Sequence, residues 1–249
     1  MTPLSDALAR FAGHRMILVA SDFDGTLTDR GSDLAVASPL PGAERALNEL
    51  ARLANVTVML VSGRRLDDLL HRFDALAEEI VTVGEHGAEW PGREPEVNPG
   101  VAVIAAGLTE ITDAISGAIV EPKLFGVTLR HEAVEQRRVR QLLEEATMYL
   151  RETTIDMDPP PRIEFGRGVV DISLLAVTKG DAVETVKASS GAEAVLYFGD
   201  DVSDESVFEL MGASDVGIKV GRAPTGAQHL VEQPSEVVAA LEELLSIRQ

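Results

Sequence analysis

Short runs of apolar residues alternate along the chain with stretches in which apolar side chains recur every three or four positions. A short apolar run bounded by turn residues is typical of a buried strand, and the longer period is typical of a helix with one apolar face. Leu47, Leu50 and Leu53 form such a face. The alternation predicts an α/β fold, in which helices wrap a parallel sheet. The predicted strands are 16–20, 56–61, 80–83, 194–198 and 216–220, and the predicted helices are 38–55, 66–73, 181–189, 203–212 and 235–246.

The alternation is interrupted between the third and fourth predicted strands. Segment 90–100 carries three prolines, which predicts a linker. The elements predicted after it are helix 101–116, strands 119–121 and 125–131, helix 132–152, and strands 153–157 and 163–172, the last two separated by Pro159, Pro160 and Pro161. We therefore expect a Rossmann-like parallel-sheet core at 1–96 and 175–249, with an inserted α+β cap at 97–174.

The charge balance limits the partners of the protein. The 249 residues include 41 acidic and 22 basic side chains, which gives a net charge of −19. Such a field repels nucleic acids and anionic membranes, so we expect neither as a partner. A phosphate site in this protein must carry its own positive charge. The chain has no cysteine, which excludes disulfides, thiolate chemistry and cysteine-based zinc sites.

Apolar segments are all much shorter than the roughly 20 residues that span a bilayer. The first 15 residues lack a basic start followed by a long apolar run, so no signal peptide is predicted. We therefore expect a cytoplasmic protein. The sequence does not define the oligomeric state, and we favour a monomer.

Two aspartates follow the first predicted strand. Asp22 and Asp24 are two positions apart, so their side chains share a face in extended backbone, and Gly25 allows a sharp turn. Functional groups gather at the carboxyl ends of parallel strands, and two carboxylates there suit a hard cation, a nucleophile and a proton shuttle. The alternative is a solvated turn. The buried strand before the motif and the Thr-Leu pair after it favour the functional interpretation.

Three further motifs lie at predicted element boundaries. Ser62 and Gly63 follow the second strand and could hold a phosphate, although Ser62 could equally be a helix cap. Lys179, one of only four lysines, could neutralise a phosphoryl oxygen or remain a surface residue. Asp200 and Asp201 follow the 194–198 strand, where adjacent carboxylates repel each other unless a cation holds them. Ligation by oxygen alone favours Mg²⁺, and a helix-capping acidic loop is the alternative.

Taken together, the four motifs resemble the haloacid dehalogenase-type phosphatase superfamily, in which an Asp-x-Asp-Gly-Thr motif is followed in order by Ser or Thr, Lys and Gly-Asp-Asp. An α+β insertion between the Ser and the Lys resembles superfamily members with a large lid. Local segments resemble trehalose-6-phosphate phosphatases over about 17–245; these are 84–89, 120–123, 170–171, 197–208 and 220–221, followed by Thr225 and Ala227.

This resemblance implies roles for the motif residues. Asp22 would be the nucleophile that forms an aspartyl-phosphate, and Asp24 would be the acid and then the base. Mg²⁺ would be held by the Asp22 and Asp200 carboxylates and the Asp24 carbonyl. The remaining implied groups are the phosphate-binding Ser62, Gly63 and Lys179, and Asp201 and Asp204, which would orient the metal and Lys179.

The resemblance also implies a sugar-binding set in the cap. Glu121, Lys123 and His131 of the cap would contact the substrate, and we expect the same of Arg64 in the core. The family continues with Tyr and Arg after this histidine, whereas Glu132 and Ala133 stand here. His131 could instead be a strand histidine with its own partners. His86 could act as a hinge, support the site from behind, or be a plain loop residue.

We expect a Mg²⁺-dependent phosphatase whose small-molecule partner is a phosphosugar, with trehalose 6-phosphate as the preferred substrate. Another phosphosugar or an aminocyclitol phosphate is the alternative within the class. A receiver-type signalling domain that accepts phosphate on Asp22 is the non-enzymatic alternative. The second acid at position 24 and the inserted domain favour the enzyme.

Overall fold

Strands and helices alternate through most of the chain in the computed structural model, which describes residues 3–29, 36–93, 98–157, 160–166, 168–175 and 177–249. The helices are α1 Leu4–Ala12, α2 Ala43–Ala51, α3 Leu66–Leu70, α4 Gly100–Thr112, α5 Gln136–Thr154, α6 Lys179–Ser190, α7 Glu205–Phe208 and α8 Pro234–Arg248. The strands are β1 Ile17–Ser21, β2 Val56–Val61, β3 Val81–Val83, β4 Ile119–Pro122, β5 Gly126–Arg130, β6 Arg162–Phe165, β7 Val169–Ser173, β8 Ala194–Gly199, β9 Val216–Val220 and β10 His229–Val231. Within these described residues, no helix combines the length and apolar content that crossing a bilayer requires.

A six-stranded sheet has the order β10-β9-β8-β1-β2-β3, and its strand pairs are parallel. In β1, Ser21 pairs with Leu60 on one side and with Phe198 on the other. The central strands are buried on both faces, which explains their continuous apolar sequences. Because β1, β2 and β8 are adjacent and parallel, the loops that follow them meet at one edge of the sheet.

A four-stranded antiparallel sheet has the order β4-β5-β7-β6. Helices α4 and α5 pack with one face of it around a separate apolar core that includes Leu129, Leu142 and Ile172. On the other face, Glu121, Thr128 and Asp171 lie in one cross-strand row. The α4 and α5 stripes are apolar because they cover this sheet.

The chain divides into two compact units. The core unit comprises Met1–Arg93 and Val177–Gln249, and the inserted unit comprises Glu94–Ala176. The α/β fold class, a Rossmann-like sheet with an inserted α+β unit, is confirmed. The predicted boundaries at 96/97 and 174/175 stay predictions. Part of the predicted 90–100 linker, residues 94–97, lies outside the described residues, as does Pro159.

Several predicted elements were wrong. Segment 153–157 is not a strand, because α5 continues to Thr154 and keeps its buried stripe through Leu150. The second hairpin of the inserted unit is β6–β7, which spans 162–173 in place of the single predicted strand 163–172. The predicted 203–212 helix is a 3₁₀ turn at 202–204, capped by Asp201, followed by the short α7. Helix α1 and strand β10 were not predicted.

Candidate active site

The loop after β1 lies against the end of β8. The Asp22 N–H donates to the Phe198 carbonyl over 2.9 Å, which extends the β1–β8 pairing by one residue. Gly25 has φ +72°, and a Cβ at this position would lie 2.4 Å from Asp200 Oδ2. Only glycine therefore allows the Asp200 carboxylate to pack so closely on the Asp22 loop.

Three carboxylates converge at this point. Asp22, Asp200 and Asp204 each offer an oxygen, and these oxygens lie within 4.8 Å of one another. Asp204 Oδ1 accepts from the Lys179 ammonium at 2.9 Å and from the Tyr197 hydroxyl at 2.7 Å. Both Asp22 and Asp204 are buried. An all-oxygen cluster of this kind can bind a divalent metal ion.

Lys179 is the first residue of α6, and its ammonium supplies the positive charge of the site. A capping box between Thr178 and Asp181 starts the helix. The Lys179 side chain is only 2% exposed, and its Nζ lies 2.7 Å from Asp22 Oδ1 and 2.9 Å from Asp204 Oδ1. Lys179 is thus a buried counter-ion between two carboxylates, which rules out the surface-lysine alternative.

The charges of this cluster perturb one another. Burial raises the pKa of Asp22 to about 8, with the Asp204 and Asp200 charges adding to the shift and Lys179 opposing it. Burial disfavours the Lys179 ammonium, but Asp204 and Asp22 outweigh this and raise its pKa. Burial also disfavours the Asp204 carboxylate, yet Lys179 holds its pKa below the ordinary value. Three acids therefore face one ammonium, and this excess negative charge favours a cation.

Tyr197 belongs to this network although its position in an apolar strand predicts only a core residue. Its ring is fully buried in β8, and its hydroxyl donates to Asp204. Burial raises the pKa of the Tyr197 hydroxyl, so it stays a donor. Asp204 Oδ2 also accepts from the Asp201 N–H at 2.8 Å. Both Asp204 oxygens are thus engaged by the protein.

The loop after β2 carries the predicted phosphate-binding residues. Ser62 N–H donates to the Val83 carbonyl at 3.1 Å, and Ser62 Oγ accepts from the Arg64 N–H at 3.1 Å. A Cβ at Gly63 would lie 2.5 Å from His86 Cε1, so the imidazole ring packs directly on this glycine. The loop is therefore held by its own hydrogen bonds and by the neighbouring 84–87 turn.

Arg64 is engaged with acidic side chains of the core unit. Its Nε and Nη2 each donate to one oxygen of Asp24 at 2.7 Å, and its Nη1 donates to Asp68 at 2.5 Å. The guanidinium also lies over the Phe23 ring. Such a bidentate pair fixes the orientation of the carboxylate. The predicted substrate contact of Arg64 stays a prediction, and its observed partners are Asp24 and Asp68.

The predicted sugar-binding residues lie in the inserted unit. Glu121 accepts from Arg130 Nε at 2.9 Å, and Lys123 Nζ lies 3.3 Å from Asp171 Oδ1. Asp171 was not predicted to contact substrate, yet it shares a cross-strand row with Glu121. The His131 N–H donates to the Gly168 carbonyl at 2.7 Å. The inserted unit thus carries Glu121, Lys123 and Asp171 as partly exposed polar groups.

Comparisons with known proteins agree with this arrangement. The family model for trehalose-phosphatases matches residues 20–236. A trehalose-phosphate phosphatase of Mycolicibacterium paratuberculosis is 30% identical over 246 residues, covering 90% of this chain and 60% of that protein. A bifunctional trehalose-6-phosphate synthase/phosphatase of Thermoproteus tenax is 28% identical, covering 94% of this chain and 32% of that protein. The chain thus spans about 60% of the length of the first of these relatives, and less of the second.

Solved structures share the fold. The C-terminal domain of Candida albicans trehalose-6-phosphate phosphatase has a TM-score of 0.79 and 19% identity, with 98% of this chain and 97% of that chain covered. A trehalose-6-phosphate phosphatase of Aspergillus fumigatus has a TM-score of 0.72 and 21% identity, with 98% and 97% covered. Because the family model matches most of the chain, this protein belongs to the trehalose-phosphatase family.

Proposed function

We propose that this protein is a Mg²⁺-dependent phosphatase that hydrolyses trehalose 6-phosphate to trehalose and phosphate through a phosphorylated Asp22. The observation that carries the proposal is the buried Lys179 ammonium between Asp22 and Asp204, beside Asp200, in a chain of the trehalose-phosphatase family. A nucleophilic carboxylate, a buried cation and an acidic metal site are what transfer of a phosphoryl group requires.

The donor set fits Mg²⁺. Both oxygens of Asp204 are already engaged by Lys179, Tyr197 and the Asp201 N–H, so Asp22 and Asp200 are the carboxylates we assign as ligands, with the Asp24 carbonyl. When bound, Mg²⁺ would draw charge from the phosphoryl oxygens and so favour attack by a carboxylate. Hard oxygen donors without nitrogen or sulfur suit this ion.

In the first step, an Asp22 carboxylate oxygen attacks phosphorus and the bond between phosphorus and the sugar oxygen breaks. Asp24, which carries a proton once Arg64 has released one of its oxygens, gives that proton to the departing sugar oxygen, which leaves as a hydroxyl. Lys179 balances the charge of Asp22 and of the transferred group. The Ser62 hydroxyl and the Gly63 N–H hold the phosphoryl oxygens.

In the second step, water hydrolyses the aspartyl-phosphate. The Asp24 carboxylate accepts a proton from the water as its oxygen bonds to phosphorus. The bond between phosphorus and Asp22 breaks, which returns the Asp22 carboxylate and releases phosphate. Asp24 is protonated again and ready for the next sugar phosphate.

Glu121, Lys123 and His131 are the groups that we propose contact the sugar. A disaccharide presents many hydroxyls, and a set with both acceptors and donors matches them. Glu121 pairs with Arg130, and Lys123 pairs with Asp171. Both side chains are partly exposed, so each can also form a hydrogen bond with a sugar hydroxyl. Glu132 and Ala133 stand where the family has Tyr and Arg, so the substrate test must include phosphate esters of other sugars.

The test is phosphate release by the purified protein with Mg²⁺ from a panel of esters. The panel contains trehalose 6-phosphate, sucrose phosphate, glucosylglycerol phosphate and an aminocyclitol phosphate. We expect the highest kcat/KM for trehalose 6-phosphate. A preference of more than about tenfold, or 1.4 kcal/mol, for another ester overturns the assigned substrate.

Matched variants test the chemistry. Asp22→Asn is expected to abolish release, whereas Asp6→Asn, at an exposed position on α1, is the control and should leave it unchanged. Removal of the metal with EDTA should stop turnover, and unaffected hydrolysis excludes the metal role. Asp24→Asn separates an enzyme from a receiver domain, because only the enzyme should lose turnover by orders of magnitude and retain phosphate on Asp22.

A further inference from the structure

The turn that follows β3 has an unfavourable backbone conformation. Glu85 and His86 are consecutive and have φ values of 48° and 56°. In the part of the chain that the structure describes, Asn55 is the only other non-glycine residue with a positive φ. Two adjacent non-glycine residues with positive φ are stable only where the surrounding structure enforces this conformation, and such backbone strain is common at functional sites. We refer to residues 84–89 as the clamp loop.

One side of the clamp loop is bonded to residues 62–64, which we refer to as the phosphate-binding loop. The His86 N–H donates to the Ser62 carbonyl at 2.9 Å, and the Glu85 N–H donates to the Arg64 carbonyl at 2.8 Å. The imidazole ring of His86 covers Gly63 so closely that a Cβ there would lie 2.5 Å away. Both N–H groups can reach these carbonyls because Glu85 and His86 have left-handed backbone conformations. The same conformations place the His86 ring on Gly63.

The other side of the clamp loop touches the start of α6. Gly87 has φ +113°, and a Cβ at Gly87 would lie 2.6 Å from the Thr178 carbonyl oxygen. Thr178 caps α6 and immediately precedes Lys179. The Trp90 indole N–H donates to the Gly87 carbonyl at 2.9 Å and so braces the loop from outside. The clamp loop therefore joins the segment that carries Ser62 to the helix that carries Lys179.

We propose that the clamp loop positions the phosphate site, and that His86 is the positioning residue that sets the Ser62–Gly63 backbone relative to Lys179. The inference rests on the proposed function, in which these groups hold the transferred phosphoryl. His86 acts through Gly63 and is not a catalytic residue. Its ring packs on Gly63 and so prevents the phosphate-binding loop from moving towards the clamp loop. The contact between Gly87 and Thr178 fixes the clamp loop relative to the start of α6, where Lys179 lies.

His86→Gly and His86→Asn separate positioning from folding. Glycine adopts a positive φ without steric cost and asparagine tolerates it, so neither variant adds backbone strain and both should fold. Both remove the ring from Gly63. We expect kcat to fall by about 10- to 100-fold, because a shift of about 1 Å in a positioning group has this effect. Asn55→Gly, which relieves a left-handed residue remote from the site, is the matched control and should leave kcat unchanged.

Binding of inorganic phosphate in the presence of Mg²⁺ gives a readout that needs no turnover. Calorimetry should show weaker phosphate affinity, by about tenfold or more, in both His86 variants and not in Asn55→Gly. Trp90 is the only tryptophan, so its fluorescence reports the clamp loop, and phosphate should change it in the parent. Folded His86 variants with kcat and phosphate affinity within about twofold of the parent overturn the proposal.

A double-mutant cycle tests the contact itself. Gly63→Ala places a methyl group in the His86 ring and should weaken phosphate binding strongly. In the His86→Gly background the same methyl has room, so the added effect should disappear. Additive effects overturn the proposal. If the parent hydrolyses none of the phosphosugars but these binding results hold, the proposed function fails and the positioning role stands.

Discussion

Replacing Lys179 with methionine removes one charge from the centre of the core unit and keeps a side chain of similar length. Its ammonium lies within 2.9 Å of both Asp22 and Asp204, and both carboxylates are buried. The substitution leaves the buried Asp204 carboxylate without its counter-ion, and above about pH 8 the ionised Asp22 carboxylate faces it as well. The expected result is a marked loss of stability, in addition to the loss of turnover that the proposed chemistry requires.

The size of the loss follows from the burial of the pair. Removing one partner of a buried ion pair costs about 3–5 kcal/mol. In a domain of this size each kcal/mol lowers Tm by about 2–4 °C, so we expect a fall of roughly 6–20 °C. Asp22 can escape part of the penalty by taking up a proton, since its folded pKa is already raised to about 8. Without Lys179 the pKa of Asp22 rises further, so the deficit relative to the parent is largest well above pH 8 and shrinks as the pH is lowered and Asp22 takes up its proton.

Thermal unfolding of metal-free protein, followed by circular dichroism at several pH values, measures this effect. Lys187→Met is the matched control because it lies on the same helix and also pairs with a buried carboxylate, Asp215, at 3.2 Å. Asp215 keeps two backbone N–H donors, from Val195 and Gly212, so this control should lose only about 1 kcal/mol. Equal Tm values for the two variants would refute the view that Lys179 is the essential buried counter-ion.

Three other substitutions or titrations test the site. Gly25→Ala forces a methyl group into Asp200 and should weaken Mg²⁺ affinity by about 10- to 100-fold, measured by calorimetry. Because the pKa of Asp22 is about 8 without metal, Mg²⁺ binding at pH 7 should release about one proton. The number of protons released should fall as the pH rises well above 8. Calorimetry in buffers of different ionisation enthalpy measures this number. Arg64→Lys replaces the two-bond grip on Asp24 with a point charge and should lower kcat by about 10-fold or more in steady-state assays, whereas an unchanged kcat excludes a positioning role for Arg64.

The parallel sheet was predictable because its strands are buried on both faces. The predicted strands 56–61 and 216–220, which are mostly apolar, coincide with β2 and β9. Segment 153–157 is not a strand although Thr153, Thr154 and Ile155 are residues that favour strands. Leu150 is buried in the inserted unit, and the Thr154 hydroxyl donates to the Leu150 carbonyl at the end of α5. Helix α1 could have been predicted, because Ala7, Leu8 and Phe11 form an apolar stripe that is visible in the sequence.

The sequence predicted which residues of the site follow strands and in which order their motifs occur, and it did not predict the contacts between them. Asp22 and Asp200 each follow a predicted strand, and the adjacency of these strands, β1 and β8, brings the two side chains together in the structure. The partner of Arg64 could not be predicted, because the pairing with Asp24 depends on the path of two loops. Tyr197 gave no signal either, since a tyrosine in an apolar strand is as readily a core residue as a hydrogen-bond donor.

The strand order also constrains how the chain is assembled during synthesis. Strand β1 has β2 as its neighbour on one edge and β8 on the other, and β8 is made only after the whole inserted unit. At a translation rate of 5–20 residues per second, the about 170 residues between them delay β8 by roughly 10–30 s. Throughout that interval one edge of β1 exposes unpaired N–H and carbonyl groups, which is the condition under which strands associate with other chains. Early folding of the inserted unit, whose apolar core is its own, shortens the stretch of nascent chain that remains unfolded while β1 waits for its second neighbour.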